Sequence, residues 1–316
     1  MSLFDGISCG YEALNRAGIK VNAYYASEIN ATSIAISKYN HPDIIQIGDV
    51  RDIDISKLPQ IDILIGGSPC QNFSFSGTGK GAVTIEEIEV TTLEQYLELK
   101  NQGFEFEGYS YLFWEYVRIL QEVQPKYFLL ENVKMAEKWR NIITKTLGYN
   151  PILINSNLLS AQNRPRLYWS NIADIKQPKD KGIYIKDVLQ NTYSPKEMLS
   201  EKILNRFQPL KSTYCVGTTK PKFRTIGQRD YVFGDDNKMG CLVATDYKQP
   251  KQVLHNGVLR KISPIEAERF QTLEDDYTKY GLFENEVKEV SNTKRFEAIG
   301  NGWTVDIIAH ILKHIK

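Results

Sequence analysis

The apolar residues in the first half of the chain fall into short runs separated by amphipathic stretches. Six runs rich in β-branched residues predict strands, over residues 3–4, 21–26, 44–47, 61–65, 127–130 and 152–154. Each run is continuous enough to be buried on both faces of a parallel sheet. The stretches between the runs have helical spacing. Strands that alternate with helices in this way indicate an α/β fold with a doubly wound sheet.

Capping residues mark where the predicted helices begin and end. Gly18 suits the C-terminal end of the first helix, and Asn30 suits the N-cap of the second. Capping-box patterns predict further helix starts at Thr92 and at Ser263, the latter with Pro264 in the first helical position.

The periodicity also predicts how the chain divides. Between residues 173 and 258 the helical and strand patterns fade, while Gly, Pro, Thr, Lys and Tyr accumulate. We therefore expect a main domain over residues 1–172, a smaller lobe over residues 173–258, and a C-terminal part over residues 259–316 that returns to the main domain.

Composition excludes several classes of protein. The chain has 316 residues, of which 42% are hydrophobic and 24% charged, as in ordinary globular proteins. It contains no apolar run near the ~18 residues that span a bilayer and no leader-like N-terminus, so we expect neither a membrane nor a secreted protein. The four cysteines form no C-x-x-C pair, which argues against a zinc site or any other metal centre and against disulfides, and fits a reducing compartment.

The charge is unevenly distributed, although its net value is only +1. Residues 173–260 carry 16 Lys and Arg against 9 Asp and Glu, a local excess of +7. Residues 78–108 carry seven glutamates against two lysines, a local value of −5. Either run alone is typical of a solvated surface. A basic lobe on an otherwise acidic body nonetheless suits a phosphate backbone along one side of the molecule.

The turn after the first strand has features of a nucleoside site. Gly6 and Gly10 allow close approach of a ligand, but the phosphate-binding pattern G-x-G-x-x-G is absent. Glu28 follows the second strand 22 residues after Gly6, where a carboxylate commonly binds ribose hydroxyls, and Asp49 follows the third strand. Each residue alone suits a turn or a helix cap. Together, at three strand ends, they predict a pocket for a phosphate-free nucleoside.

Candidate catalytic residues follow later strands. Cys70 lies in a Gly-Gly-Ser-Pro-Cys turn, and Pro69 fixes the backbone just before the thiol. A thiol needs a cationic neighbour to act as a nucleophile at neutral pH. Glu131 is expected at the same edge of the sheet, and Arg164 and Arg166 would share one side of an extended segment. Taken singly, these residues suit an inert buried cysteine and ordinary surface charges.

The order of these motifs resembles that of the cytosine-C5 DNA methyltransferases. The matching segments, which span nearly the whole chain, are Phe4-Asp5-Gly6, Gly67-Ser68-Pro69-Cys70-Gln71, Glu131-Asn132-Val133, Gln162-Asn163-Arg164-Pro165-Arg166 and Ile299-Gly300-Asn301-Gly302. The resemblance implies a Rossmann-like, S-adenosylmethionine-dependent domain, with the 173–258 lobe as the target-recognition domain. It also implies that Cys70 adds to C6 of a flipped-out cytosine and that Glu131 protonates the N3 edge. Arg164 and Arg166 would contact the base carbonyl and a phosphate.

The resemblance also implies a set of residues that bind S-adenosylmethionine. They are Phe4, Asp5, Gly6, Ile7, Glu28, Ile29, Asp49, Val50, Pro69, Leu112, Asn301 and Val305. Asp5 stands where many relatives have a small neutral residue, and would face the cationic end of the cofactor. Trp303 also departs from the small residues that are usual after Asn301.

Other expectations concern the DNA. The residues expected to contact it are Gln71, Ser74, Thr219, Lys220, Lys222, Arg224, Gln228 and Arg229, and Cys241 stands where the family usually has threonine. The glutamate-rich insert at residues 84–106 lengthens the loop after Cys70. We expect it to form a helix over residues 93–101 and to be a tolerated surface insertion, whose deletion would leave cofactor binding intact.

Two rival functions stay open at this point. Methyltransferases that act on cytosine in tRNA share this active-site set, although the basic lobe favours double-stranded DNA. A catalytically silent regulator that binds nucleic acid or cofactor is a rival of another class, which the intact Cys70 and Glu131 disfavour. The short chain suggests a monomeric, cytoplasmic enzyme at the nucleoid of a bacterial or phage-infected cell, with a cognate restriction endonuclease as a further candidate partner.

Overall fold

In the computed structural model, which describes residues 1–73, 79–221, 223 and 225–316, a seven-stranded sheet organises the first part of the chain. Its strand order is β3-β2-β1-β4-β5-β8-β6. The strands of this region, including β7, which lies outside the sheet, are β1 (Ser2–Leu3), β2 (Tyr25–Ser27), β3 (Ile45–Gln46), β4 (Ile63–Gly67), β5 (Tyr127–Val133), β6 (Ile152–Asn155), β7 (Gln162–Asn163) and β8 (Pro165–Ser170). All six predicted strands are present, with shifted ends.

The register of the sheet brings the candidate catalytic residues together. Strands β1 to β5 pair in parallel, and Gly67 at the end of β4 lies opposite Glu131 in β5. Strand β8 is antiparallel to β5, so that Arg166 lies opposite Val133. The sequence predicted an extended segment here but not its antiparallel direction. It also placed Glu131 just beyond β5, whereas Glu131 lies inside that strand because β5 continues to Val133.

The helices flank the sheet and agree with the predicted caps. Their bounds are α1 (Cys9–Ala17), α2 (Ala31–Asn40), α3 (Leu93–Asn101), α4 (Phe113–Val123), α5 (Glu137–Leu147), α6 (Glu201–Leu204), α7 (Pro264–Phe270), α8 (Asn292–Asn301) and α9 (Val305–Leu312). Gly18 ends α1 at φ 77°, and the Asn30, Thr92 and Ser263 side chains accept hydrogen bonds from the first turns of α2, α3 and α7. Within the described residues, no helix has the length and apolar character needed to cross a bilayer.

Two apolar clusters pack on the sheet, and C-terminal residues belong to one of them. The first cluster includes Phe113, Trp114 and Trp139 from α4 and α5. The second includes Ala13 of α1 and Ile308 of α9, because these two helices pack against each other. The last helix therefore lies on the main body of the protein.

A second, smaller sheet lies within the basic part of the chain. Among the described residues it has five strands in the order β14-β13-β11-β10-β9. The remaining strands are β9 (Gln208–Pro209), β10 (Gly217–Thr218), β11 (Tyr231–Gly234), β12 (Met239–Gly240), β13 (Gln252–His255), β14 (Val258–Lys261), β15 (Tyr280–Phe283) and β16 (Glu286–Glu289). Strand β12 pairs with β7 of the main domain, so the two parts of the chain are joined by backbone hydrogen bonds next to Arg164.

The glutamate-rich insert forms the predicted helix, but it is not a surface insertion. Helix α3 spans Leu93–Asn101, and its residues Leu93, Tyr96 and Leu99 belong to the first apolar cluster. The Tyr96 hydroxyl and the Lys100 ammonium both donate to Oε1 of Glu115, a fully buried carboxylate on α4. Acidic residues predominate on the outside of the insert, and this composition concealed the apolar face beneath them.

Deletion of residues 84–106 is therefore expected to destabilise the protein. Each of Val90, Leu93, Tyr96 and Leu99 contributes about 1.5–3 kcal/mol through burial, so the total is comparable to the ~5–15 kcal/mol by which a domain is stable. Urea denaturation of the deletion variant checks this. The matched control is Ile85→Ser, since that side chain is 57% exposed and should not matter. A deletion variant as stable as the wild type would restore the surface interpretation.

Candidate active site

Cys70 lies in a turn after β4 that is held on both sides. The Asn132 side chain donates to the Ser68 carbonyl and hydroxyl at 3.2 and 3.1 Å. On the other side, Asn72 donates from its backbone to the Ser110 hydroxyl at 3.0 Å and from its side chain to the Glu107 carbonyl at 3.1 Å. These contacts fix the backbone around a half-buried thiol. The thiol is thus neither sealed in the core nor free on the surface.

The Glu131 carboxylate lies between two nitrogen donors. Arg166 Nε is 2.9 Å from Oε1, and Trp303 Nε1 donates to Oε2 at 3.1 Å. Gly67 lies opposite Glu131, and a Cβ atom there would come within 3.0 Å of Oε2 and 2.9 Å of Trp303 Nε1. The glycine is therefore required by close packing around the carboxylate. The sequence predicted the proximity of Glu131 and Arg166 but gave Trp303 no role at this site.

Charged residues of both signs act on the pKa of Cys70, in opposite directions. Burial raises the pKa of the Cys70 thiol and the negative charge of Glu131 raises it further, while Arg166 and Arg164 act to lower it. The net shift is upward, so the two arginines do not activate the resting thiol in the way that the sequence suggested. Because the pKa is raised, the thiolate fraction of Cys70 at neutral pH is smaller than that of an ordinary thiol.

A second thiol, Cys241, lies close to both arginines. Arg164 Nη1 is 3.3 Å and Arg166 Nη2 is 3.7 Å from its sulfur. Burial acts to raise the pKa of Cys241, but the two guanidinium groups outweigh it and lower the pKa below its ordinary value. By contrast, burial raises the pKa of Cys9 to about 12. Chemical probes of Cys70 must therefore be distinguished from reaction at Cys241.

Arg164 does not point out towards a substrate as expected. Its side chain is 5% exposed and donates to the carbonyls of Leu242 at 2.7 Å, Gly300 at 3.3 Å and Gly302 at 2.9 Å. Those carbonyls lie on the chain after β12 and at the end of α8. Arg164 therefore joins the second sheet region to the C-terminal helices. The expected contact with base or phosphate is not supported, because the guanidinium is already engaged inside the protein.

Arg164→Lys is expected to lower the free energy of unfolding by about 2–5 kcal/mol. Lysine has no planar fork, so at least two buried carbonyls lose their donor, at roughly 1–3 kcal/mol each. Urea denaturation measures the loss, with Arg140→Lys as the control, since the Arg140 side chain is 44% exposed. An Arg164→Lys variant as stable as this control would contradict the structural role of the guanidinium group.

The crevice at the ends of β1 and β2 is built around Glu28. Glu28 Oε2 accepts from the Gly6 backbone at 2.8 Å, and Oε1 accepts from the Ile29 and Asn30 backbones at 2.8 Å each. The carboxylate is thus fixed but keeps lone pairs for a ligand. The Ile29 side chain is 65% exposed beside it, and a Cβ atom at Gly6 would enter open space. The crevice therefore offers a fixed acceptor, an apolar surface and room.

The other expected cofactor residues differ in how accessible they are. Pro69 and Phe4 are half-buried and Asn301 is exposed, whereas Ile7, Val50, Leu112 and Val305 are buried and can only support the wall from behind. Asp49 is half-buried, and its carboxylate binds the Arg51 guanidinium, which lowers the pKa of Asp49.

The expected role of Asp5 is not supported. Its carboxylate is buried and accepts from the Ser8 hydroxyl at 2.5 Å and from the Tyr24 hydroxyl at 2.6 Å. Burial raises the pKa of Asp5 above its ordinary value. Both oxygens are thus engaged inside the fold, where they stabilise the turn after β1, and neither is directed at a cationic ligand.

The residues expected to contact DNA also differ in how accessible they are. Gln71 and Gln228 are exposed, Lys220 is half-buried, and the half-buried Arg229 donates to the Thr245 carbonyl at 3.3 Å. Thr219 is 3% exposed and donates to the Gln252 side chain at 3.0 Å, so it does not face a groove. Ser74, Lys222 and Arg224 lie outside the described residues.

Comparison with known proteins finds likeness along the whole chain. A family model described as C-5 cytosine-specific DNA methylase matches residues 1–316. The type II methyltransferase M1.ScrFI of Lactococcus lactis subsp. cremoris is 30% identical over 314 residues, covering 92% of this chain and 70% of that protein. The orphan methyltransferase M.Rho11sI of Bacillus phage rho11s is 34% identical over 186 residues, which cover 53% of this chain and 31% of the phage protein.

Solved structures are similar in fold. The methyltransferase EhMeth of Entamoeba histolytica superposes with a TM-score of 0.67 at 14% identity, covering 99% of this chain and 96% of that chain. At this identity the likeness concerns the fold. It confirms the α/β class expected from the alternation of strands and helices, and the Rossmann-like form that the resemblance implied.

Proposed function

This chain belongs to the family of C-5 cytosine-specific DNA methylases, and from that premise we propose that it methylates a cytosine rotated out of duplex DNA, through a covalent bond between Cys70 and C6. The family establishes methyl transfer to C5 of cytosine in DNA. The observation that carries the finer proposal is the placement of Cys70 just after β4 while Glu131 lies on the adjoining strand, held by Arg166. A flat pyrimidine between them would present C6 to the sulfur and N3 to the carboxyl group.

Cys70 supplies the nucleophile. Its thiol loses its proton to solvent, and the thiolate adds to C6, so that the electron pair of the C5–C6 double bond moves through the ring towards N3. Glu131 is a carboxylate in the resting site; it takes up a proton from solvent as the base binds, donates that proton to N3 and so neutralises the charge that develops there. The ring is then enamine-like, and C5 becomes the nucleophile that cytosine itself does not provide.

The covalent bond to Cys70 is temporary. Once C5 carries the methyl group it loses its proton to water, the double bond to C6 forms again, and the Cys70 thiolate leaves. The N3 proton then returns through Glu131 to solvent, and the Cys70 thiolate takes up a proton, which restores both residues. Arg166, whose Nε lies 2.9 Å from Glu131 Oε1, places a positive charge beside the group that serves N3.

S-adenosylmethionine fits the crevice around Glu28 and would supply an electrophilic methyl group bound to a sulfonium. Glu28 keeps acceptor lone pairs for ribose hydroxyls, and the exposed Ile29 side chain offers a surface for a flat ring. The absence of a phosphate-binding glycine pattern suits a ligand without phosphates. Phe4, Pro69 and Asn301 complete the accessible part of this proposed site.

The DNA would be bound by the basic 173–258 lobe. Exposed Gln228 and half-buried Arg229 and Lys220 are the described candidates for contact with base edges and phosphates. Rotating a cytosine out of the stack costs a few kcal/mol, and contacts in the pocket offset that cost. We propose a monomeric cytoplasmic enzyme. The relatives support roles with and without a restriction endonuclease, since one is named as a type II and the other as an orphan methyltransferase.

The decisive experiment compares substrates. The purified chain and methyl-labelled S-adenosylmethionine are incubated with duplex DNA of varied sequence and, separately, with tRNA, and the product is digested to nucleosides. We expect 5-methylcytosine in DNA alone. Label in tRNA alone would favour the rival tRNA enzyme, and binding without transfer to either would favour the silent regulator. Bisulfite sequencing of DNA from cells expressing the chain would then give the recognition site.

A further inference from the structure

We propose that Trp303 is a positioning residue for the methylation reaction, because its indole N–H fixes the orientation of the Glu131 carboxyl group. This inference rests on the proposed function, in which Glu131 faces the base. It assigns to Trp303 a contribution to the chemical step, and none to the binding of DNA.

The geometry at Glu131 needs two donors. Arg166 Nε lies 2.9 Å from Oε1 and Trp303 Nε1 lies 3.1 Å from Oε2. A carboxylate held through one oxygen still rotates about its last bond, since that torsion is broad. A second donor on the other oxygen fixes the plane of the group. The hydrogen bond from Trp303 therefore fixes the orientation of a carboxylate that Arg166 alone would leave free to rotate.

Trp303 is itself held firmly by the chain on both sides. The Gly302 carbonyl accepts from Arg164 Nη2 at 2.9 Å and from Gln271 Nε2 at 3.1 Å. On the other side, the Thr304 hydroxyl donates to Gln271 Oε1 at 2.8 Å. The indole is therefore presented from a rigid segment, as precise orientation requires.

The space around the indole supports a specific contact. A Cβ atom at Gly67 would lie 2.9 Å from Trp303 Nε1 and 3.2 Å from its ring carbon Cζ2. Only glycine at that position leaves room for the indole to reach Glu131. Gly67 and Trp303 are therefore complementary in size at this end of the sheet, although 236 positions separate them in the chain.

The test is Trp303→Phe, which keeps an aromatic ring and removes the N–H. We expect kcat to fall by roughly 10- to 100-fold, as small misplacements of catalytic groups do, with KM for DNA within about twofold of the wild type. The matched control is Trp114→Phe, because the buried Trp114 indole has no hydrogen-bond partner among the described residues and its N–H can be lost without consequence for Glu131. Thermal unfolding of both variants accompanies the kinetics.

A second measurement does not depend on activity. The indole N–H resonance of Trp303, assigned in ¹⁵N-labelled protein by its loss in Trp303→Phe, should shift in Glu131→Gln and stay unchanged in Glu137→Gln, whose carboxylate is exposed on α5. A kcat equal to that of Trp114→Phe, a loss expressed in KM, or a resonance unaffected by Glu131→Gln would each overturn the inference. Absence of transfer by the wild type would instead refute the proposed function. If Trp303→Phe fails to fold, ¹⁵N-indole tryptophan spectra of Trp114→Phe, Trp139→Phe and Trp169→Phe assign the resonance by elimination.

Discussion

Replacement of Cys70 by alanine is expected to abolish methyl transfer while the affinity for S-adenosylmethionine stays within about twofold. In the proposed mechanism the sulfur makes the bond to C6, and no other described side chain at the site has that nucleophilicity, apart from the thiol of Cys241. The Glu28 carboxylate at the proposed cofactor site is held by the backbones of Gly6, Ile29 and Asn30. Steady-state kinetics and calorimetric titration with the cofactor measure the two effects.

Trapping with 5-fluorocytosine tests the same residue directly. Fluorine at C5 cannot leave as a proton does, so the bond between enzyme and base persists, and peptide mass spectrometry locates it. We expect the adduct at Cys70 in the wild type and none in Cys70→Ala. The control is Cys241→Thr, which should still form the adduct. An adduct at Cys241 would contradict the assignment, and it is the serious competitor because its pKa is lowered.

The raised pKa of Cys70 also sets the pH dependence. The thiol is a weak acid whose folded pKa lies above its ordinary value, so the fraction of thiolate rises with pH and levels off only above that raised pKa. The rate at which iodoacetamide alkylates Cys70 in the absence of DNA should therefore rise as the pH is increased from 7 through 9, and a rate that is already level at pH 8 would contradict the raised pKa.

Much of the fold follows from local sequence, because short apolar runs and capping residues act over a few positions. The predicted caps at Asn30, Thr92 and Ser263 all form. Strand β8 was harder to predict, since the direction of a strand depends on its partners across the sheet. The burial of α3 could not be predicted for a related reason. Its apolar residues are spaced among glutamates, and they form a buried face only because α4 packs against them.

The site was predictable to the extent that its residues come in ordered motifs. Cys70, Glu131 and Arg166 were expected near one another, and the pairing of β4 with β5 places Glu131 next to the turn that carries Cys70. The surroundings of Arg164 were not predictable, because sequence spacing says where a side chain leaves the backbone, whereas the partners of Arg164 are carbonyls more than 75 residues away. Trp303 was missed because an indole donor carries no charge that would draw attention to it.

Glu131→Gln is expected to change catalysis and thiol reactivity in opposite directions. Without an acid to protonate N3, kcat should fall by about 10²- to 10⁴-fold. At the same time, the variant removes a negative charge that raises the pKa of Cys70, and leaves the Arg166 guanidinium without its carboxylate partner. The thiolate fraction at pH 7.5 should therefore increase, and alkylation of Cys70 by iodoacetamide should become several-fold faster.

The two readouts separate this explanation from simple damage to the fold. Alkylation is followed by mass spectrometry of the Cys70 and Cys241 peptides. Glu137→Gln is the control, because the Glu137 carboxylate is exposed on α5 and has no part in the proposed reaction. A misfolded variant would expose Cys9 and Cys215, which are buried in the native protein, so their alkylation reports unfolding. Faster reaction at Cys70, with Cys9 and Cys215 still protected, is the pattern expected if Glu131 acts on the thiol through its charge. An unchanged rate at Cys70 would mean that Glu131 does not govern the nucleophile.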